Sequence, residues 1–300
     1  PKMNTVRQVS KARKKVTKKP KKTSSEESNS VKIPSGKSSP PEQLRDYIIS
    51  VYGNSGCGKT SLMAEFPGYV IAQFESRRKG LSVRKVDCSY VSIDDYGSTD
   101  YRPFVKFYNF VEKAINDSSV KGIAIDTFNL LFQSAEDYVC DSQGITHPND
   151  ANDYGKTWKK VQTVVRNILN MYLESGKGLA FIDHSTQVEV ETNGEKYWVT
   201  QPDLRDSGTG PLPVIKQMTD AVVYYEIEAD GSRSMRLQPT KNIYCKSGID
   251  NHFRTPKGSL LTKFPVGDSP KKAYNDLIKA FDNQISNVVK KKISRKPSSK

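Results

Sequence analysis

Cysteine is scarce in this 300-residue chain: Cys57, Cys88, Cys140 and Cys245 are the only four. No two have C-x-x-C spacing and the three histidines do not cluster beside them, which argues against a zinc site or a disulfide framework and fits a reducing compartment. Long apolar runs are missing too. No stretch reaches transmembrane length and none forms a signal-peptide core, so no membrane partner is expected. Acid is missing from both ends. Residues 1–22 hold ten Lys/Arg and no Asp or Glu, and residues 290–300 hold six more, again without an acid. The other 31 positive residues face all 33 acids, so the net charge of +14 belongs to the ends and the body is close to neutral. Such ends gather a polyanion by counterion release, or serve as a targeting signal. Residues 1–41, rich in Lys, Ser and Pro, offer too few large apolar side chains to offset ordering entropy and are expected to be a disordered basic tail.

The most specific pattern present is VYGNSGCGKTSL at 51–62. Gly53, Gly58, Lys59 and Thr60 satisfy G-x-x-x-x-G-K-[ST], the phosphate-binding loop, with an apolar strand (47–51) before it and the start of a helix (61–66) after it. Glycines let backbone N–H groups approach phosphate oxygens, and the helix start adds a favourable dipole. The expected nucleotide cradle is Gly53, Asn54, Ser55, Gly56, Cys57, Gly58, Lys59, Thr60 and Ser61. Lys59 would reach the β- and γ-phosphates of ATP, and the Thr60 hydroxyl would ligate Mg²⁺.

Residues 69–74, YVIAQF, read as a second strand with Glu75 at its end and a basic cluster after it. In an open parallel sheet the carboxyl ends of strands face the ligand crevice, so Glu75 either orients an attacking water or is an ordinary solvated strand-end carboxylate. A short strand is expected at 88–93, a helix with an apolar stripe at 101–116, and a buried strand at 121–126 that ends in Asp126. Asp126 suits the second acid of a phosphate-loop site, holding Mg²⁺ through a water. A helix at 157–174 leads into strand 179–183 with His184 at its tip, either a γ-phosphate sensor or a histidine bonded to a nearby loop. Alternation about Asn193-Gly194 over 187–200 predicts a β-hairpin. The Gly/Pro-rich stretch 201–213 reads as mobile, 214–219 as a short helix, 221–227 and 233–238 as paired strands, and 270–289 as an amphipathic helix.

Taken together, YGNSGCGKTSLMAEFP, DYGKTWKKVQTVVRNILN and GLAFIDHS resemble the phage-type nucleotide-binding RecA-like family of P-loop ATPases, over about residues 46–265. The resemblance implies an α/β fold with a mostly parallel central sheet flanked by helices and antiparallel strands at the C-terminal side. It divides the chain into the basic tail (1–41), an ATPase core (42–268) and a C-terminal helix with a basic tail (269–300). It implies DNA-stimulated ATP hydrolysis with Mg²⁺, in phage recombination, annealing or replication. Lys59 and Thr60 would bind phosphate and Mg²⁺, Asp126 would be the second acid, Glu75 the catalytic glutamate and His184 the sensor. The implied partners are single-stranded DNA, further copies of the chain and a single-strand-binding protein, in the cytoplasm of a bacterial host or the nucleus of a eukaryotic one. DNA contacts would come from Lys196, Tyr197, Trp198 and Arg205 after the sensor strand, with bases stacking on the aromatics. Glu189, Glu191 and Glu195 in the same hairpin repel phosphate, which shifts affinity towards the ends and towards Arg77, Arg78 and Lys79. Lys241, Lys246 and Arg254 could reach a neighbouring subunit's site. The competing readings are an ATP-switched DNA-binding or assembly protein with negligible turnover, a helicase or packaging motor, and a small-molecule kinase.

Overall fold

The computed structural model describes residues 41–75, 81–89 and 103–287. Among these residues ten strands run in chain order as β1 (Ile48–Gly53), β2 (Tyr69–Gln73), β3 (Lys85–Asp87), β4 (Gly122–Asp126), β5 (Gly178–Thr192), β6 (Glu195–Pro202), β7 (Ala221–Ile227), β8 (Arg233–Arg236), β9 (Lys246–Ser247) and β10 (Lys263–Val266). The helices are α1 (Lys59–Ala64), α2 (Pro103–Asn116), α3 (Phe128–Gln143), α4 (Lys156–Leu173), α5 (Pro211–Met218) and α6 (Pro270–Phe281). The sheet order is β10-β8-β7-β1-β5-β4-β2-β3, with β6 added to β5 and β9 to β7. From β7 to β3 every pairing is parallel, while β8, β9 and β10 join antiparallel on the C-terminal side. This is the expected α/β class.

The central strands are short apolar runs because they are covered on both faces. Every residue of β2 (YVIAQ) and of β4 (GIAID) is buried. Helices α2, α3, α4 and α5 pack on one face around Phe107, Phe128, Phe181 and Leu212, and α1 and α6 pack on the other around Leu62, Met63, Leu277 and Phe281. Among the described residues no helix is long and apolar enough to cross a membrane.

Several expectations change. The sequence reading assigned nothing between Asp126 and the polar segment at His147, yet α3 fills it. Phe128, Leu131, Phe132, Ala135 and Val139 make its buried stripe, the Thr127 hydroxyl caps its start by accepting from Leu130 N, and Gly144 ends it at φ 69°. The short strand expected at 88–93 lies earlier, as β3, an edge strand whose only apolar residue is Val86; positions 90–93 lie outside the described residues. The sensor strand and the first arm of the hairpin are one continuous strand, β5, which turns at Asn193 (φ 55°) and Gly194 (φ 78°) into β6. The stretch read as mobile is anchored at both ends, where Gln201, Leu204, Gly210 and Pro211 are buried, while Arg205 to Gly208 are exposed. Helix α6 stops at Phe281 rather than running to 289, because Asn283 turns left-handed (φ 64°) and its side chain accepts from Arg254 N.

Phe181 is fully buried, with its ring 4.8 Å from that of Phe128 across the β5–α3 contact. Phe181→Ala is expected to cost about 3–5 kcal/mol, the usual range for emptying an aromatic core position. Urea midpoints compared at fixed pH measure it, and a loss below ~1 kcal/mol would contradict this packing.

Candidate nucleotide site

The parallel register brings four strand ends to one edge. Gly53 of β1 lies opposite His184 of β5, and Asp126 of β4 lies opposite both Ile182 of β5 and Gln73 of β2. Glu75 follows β2 by two residues, and the Gln73 side-chain amide donates to its carbonyl oxygen at 2.7 Å. Gln73, Glu75, Lys59, Thr60 and Asp126 are all buried. Charged groups this far from water require partners.

The partners are on hand. Thr60 Oγ1 donates to Asp126 Oδ2 at 2.6 Å, which puts the two expected Mg²⁺-holding residues side by side. Glu75 Oε1 and His184 Nε2 are 2.7 Å apart; the glutamate is 7% exposed and the histidine 32%. Glu75 is therefore a buried, held carboxylate and not a solvated strand end. Lys59 Nζ donates to Gly53 O (2.8 Å) and Asn54 O (2.9 Å) and lies 3.8 Å from Cys57 Sγ, so its ammonium sits inside the curve of the loop. Ser185 Oγ donates to Asn54 Oδ1 at 2.6 Å, tying the loop to the strand that carries His184.

The loop glycines serve different ends. A Cβ on Gly53 would lie 1.9 Å from the Tyr225 carbonyl oxygen, so this glycine is demanded by the approach of β7. Gly58 sits at φ 104°, which an L side chain rarely adopts. A Cβ on Gly56 would meet open space. Asn54, Ser55 and Gly56 are exposed, Ser61 is half-buried on α1, and Cys57 is fully buried, where burial pushes its thiol up. The open loop rim, the enclosed lysine and the threonine–aspartate pair fit a Mg²⁺-bound nucleoside triphosphate: backbone N–H groups and Lys59 for phosphate, Thr60 and Asp126 for the metal. Among the described residues no group of three or more His, Cys, Asp or Glu could hold a metal by itself. A Mg²⁺ site that leans on one carboxylate and on phosphate oxygens needs no such cage.

The expected DNA contacts do not converge here. Trp198 is 56% exposed on the hairpin, but Lys196 Nζ pairs with Glu189 at 3.4 Å, and Tyr197 carries Lys241 Nζ 4.8 Å from its ring centroid. Arg205 donates to Glu136 at 2.7 Å and lies 4.1 Å from the Trp158 ring centroid. Arg77, Arg78 and Lys79 lie outside the described residues. The residues considered for a neighbouring subunit's site are engaged internally. Lys246 Nζ donates to Lys216 O and Thr219 O at the end of α5, Lys241 pairs with Glu195 at 2.7 Å, and Arg254 donates to Gly258 O.

Asp183, to which the sequence pattern assigned no role, also lies at this edge. It is fully buried; its Oδ1 accepts from Asn129 N at 3.1 Å and its Oδ2 has no partner among the described residues. Burial is the largest cause holding its carboxyl well above the ordinary 3.8; the Asn129 N–H opposes this and the nearby Asp126 charge adds to it. The signal lay in the sequence as an acid at the fifth residue of LAFID, masked by the more conspicuous His184.

The AAA domain family AAA_24 matches residues 45–248, more than half of the chain, and the chain belongs to this family. Among solved structures it is similar to the KaiC-like protein PH0186 from the hyperthermophilic archaeon Pyrococcus horikoshii OT3, at 10% identity over 76% of this chain and 88% of that one, with a TM-score of 0.38. No curated protein matches it.

A carboxyl raised in the folded state stabilises fully below the unfolded value and loses that contribution as pH climbs through the folded one. Asp183→Asn, which keeps the shape and removes the charge, is expected to flatten the fall of stability as pH rises above about 4 and to be the more stable form at the upper end of the range measured. Denaturant midpoints across that range test it; parallel profiles for parent and variant would contradict it.

Proposed function

We propose that this AAA-domain protein hydrolyses ATP with Mg²⁺ and acts on single-stranded DNA, in the recombination, annealing or replication that the phage-type RecA-like resemblance implies. The observation that carries the proposal is the Glu75–His184 contact at 2.7 Å beside the Thr60–Asp126 pair. A carboxylate held at the end of the strand next to the Asp126 strand is placed to order water against a phosphate cradled by the loop.

Each residue then has one task. Backbone N–H groups of the loop and the Lys59 ammonium bind and neutralise phosphate oxygens. Thr60 and Asp126 would hold Mg²⁺, which when bound would neutralise developing charge on the phosphates. Glu75 orients the attacking water and accepts its proton at a carboxylate oxygen, and His184 fixes that carboxylate by the bond it makes to Oε1. Catalysis of this kind is positioning and electrostatics. DNA enters the proposal through β5. The strand that carries His184 runs on without a break to Thr192 in the hairpin, whose return strand β6 presents Trp198, so one β-ribbon joins the nucleotide site to the surface offered to the partner. Further copies of the chain would complete the assembly.

A second reading draws on the hairpin's own chemistry. Its tip exposes Glu189, Glu191 and Glu195, and its lysine is already paired with one of them. That pattern favours an ATP-switched assembly protein whose hairpin meets protein rather than nucleic acid.

Phosphate release by the full chain, with and without single-stranded DNA, separates the two. Lys59→Ala is expected to abolish turnover and to weaken nucleotide binding. Glu75→Gln is expected to lower kcat by about 10²–10⁴ with nucleotide binding retained, the range for losing a positioned general base. DNA-stimulated turnover that responds in this way supports the ATPase. Turnover unchanged by Glu75→Gln, or absent in the parent while ATP-dependent assembly persists, supports the second reading.

A further inference from the structure

A second cavity lies away from the phosphate loop, on the face of the sheet covered by α2, α3 and α4. The first turns of α3 present Asn129, Phe132, Gln133 and Glu136, spaced along one side of the helix, and Arg205 from the loop before α5 and Pro211 at the first position of α5 close the space. Its volume is about 160 Å³. A cavity of roughly 150 Å³ accepts benzene, so this one has room for a single planar six-membered ring and not for a sugar and phosphate as well.

The walls suit such a ring. Phe132 is buried beneath it. Arg205 is held from two sides, its guanidinium carbon 4.1 Å from the Trp158 ring centroid and 6.0 Å from that of Phe132, with a nitrogen 2.7 Å from Glu136 Oε1. A guanidinium fixed in this way is pre-organised as a stacking surface. The amides of Asn129 and Gln133 are exposed, and neither makes a side-chain hydrogen bond among the described residues. Each offers both donors and an acceptor to the edge of a flat heterocycle. A short chain of contacts links the cavity to the nucleotide site: Asn129 N donates to Asp183, and the next residue, His184, holds Glu75.

We infer that this cavity is a subsite for one nucleobase of a bound single strand, sized for a pyrimidine, with the ring against Phe132 and Arg205 and its edge on the amides of Asn129 and Gln133. The inference rests on the single-stranded DNA reading above and assigns Arg205 a role in stacking rather than in phosphate contact.

The test measures binding of the full chain to a labelled oligothymidylate and to an abasic oligomer of equal length and charge, by fluorescence anisotropy. The parent is expected to favour the oligothymidylate. Gln133→Ala and Arg205→Lys, the second keeping the charge but losing the plane, are each expected to weaken that binding about tenfold and to leave the abasic oligomer unaffected. Thermal melts accompany each variant; Gln133 is exposed, so its variant carries the test if Arg205→Lys melts early. Equal parent affinity for the two oligomers, or variants that weaken both alike or neither, would overturn the base subsite while leaving DNA binding intact. Binding to neither oligomer, with nucleotide binding preserved, would overturn the DNA reading and the subsite with it.

Discussion

The placement of β5 between β1 and β4, parallel to both, is the constraint on which the site depends. Because the three strands are in register, Gly53 lies level with His184 and Asp126 level with Ile182, two residues earlier on β5, and β2 adds Glu75 from the far side of β4. Side chains alternate across a strand, so residues two apart share a face. Asp126 shares its face of the sheet with Ala124, and Glu75 shares that face with Ile71, the side on which α1 and the phosphate loop pack. A slip of one residue in either strand would turn the carboxylate to the opposite face.

Burial then decides the chemistry. A carboxylate or ammonium taken out of water is tolerated only where partners replace the lost hydration. The threonine hydroxyl on Asp126, the imidazole on Glu75 and the two carbonyls on Lys59 are such replacements, and each is also a group that a phosphate, a metal or a water could exchange with. Asp183 follows the opposite course. With one oxygen bonded and the other unpartnered, it is favoured in the neutral form. Two acids on neighbouring strands thus differ in surroundings: Asp126 faces a hydroxyl near the loop and Asp183 faces the start of a helix.

Much of this was legible in the chain. The phosphate loop carries its own spacing, and strand 121–126 announces itself as an unbroken apolar run ending in an acid. The Asn-Gly turn needs positive φ twice, and both residues adopt it. What stayed hidden was hidden for physical reasons. Helix α3 carries its stripe and both caps in the sequence, but it follows the Asp126 strand after a single residue, Thr127, with no Gly/Pro loop to mark its start. Edge strand β3 shows a single apolar residue, since an edge buries little. The contact that holds Glu75 joins residues 109 apart in the chain, and no local pattern records it. Arg205, expected as a DNA contact, has its partners Glu136 and Trp158 on two other helices, and no local pattern records them.

The central claim is that Glu75 and His184 act as one unit. A double-mutant cycle on the rate of phosphate release, using Glu75→Gln, His184→Asn and the pair together, tests it most directly. Residues that work as a unit lose about as much singly as together. The account predicts that the double variant is no slower than Glu75→Gln alone. Losses that multiply, each substitution subtracting its own increment of activation free energy, would contradict it.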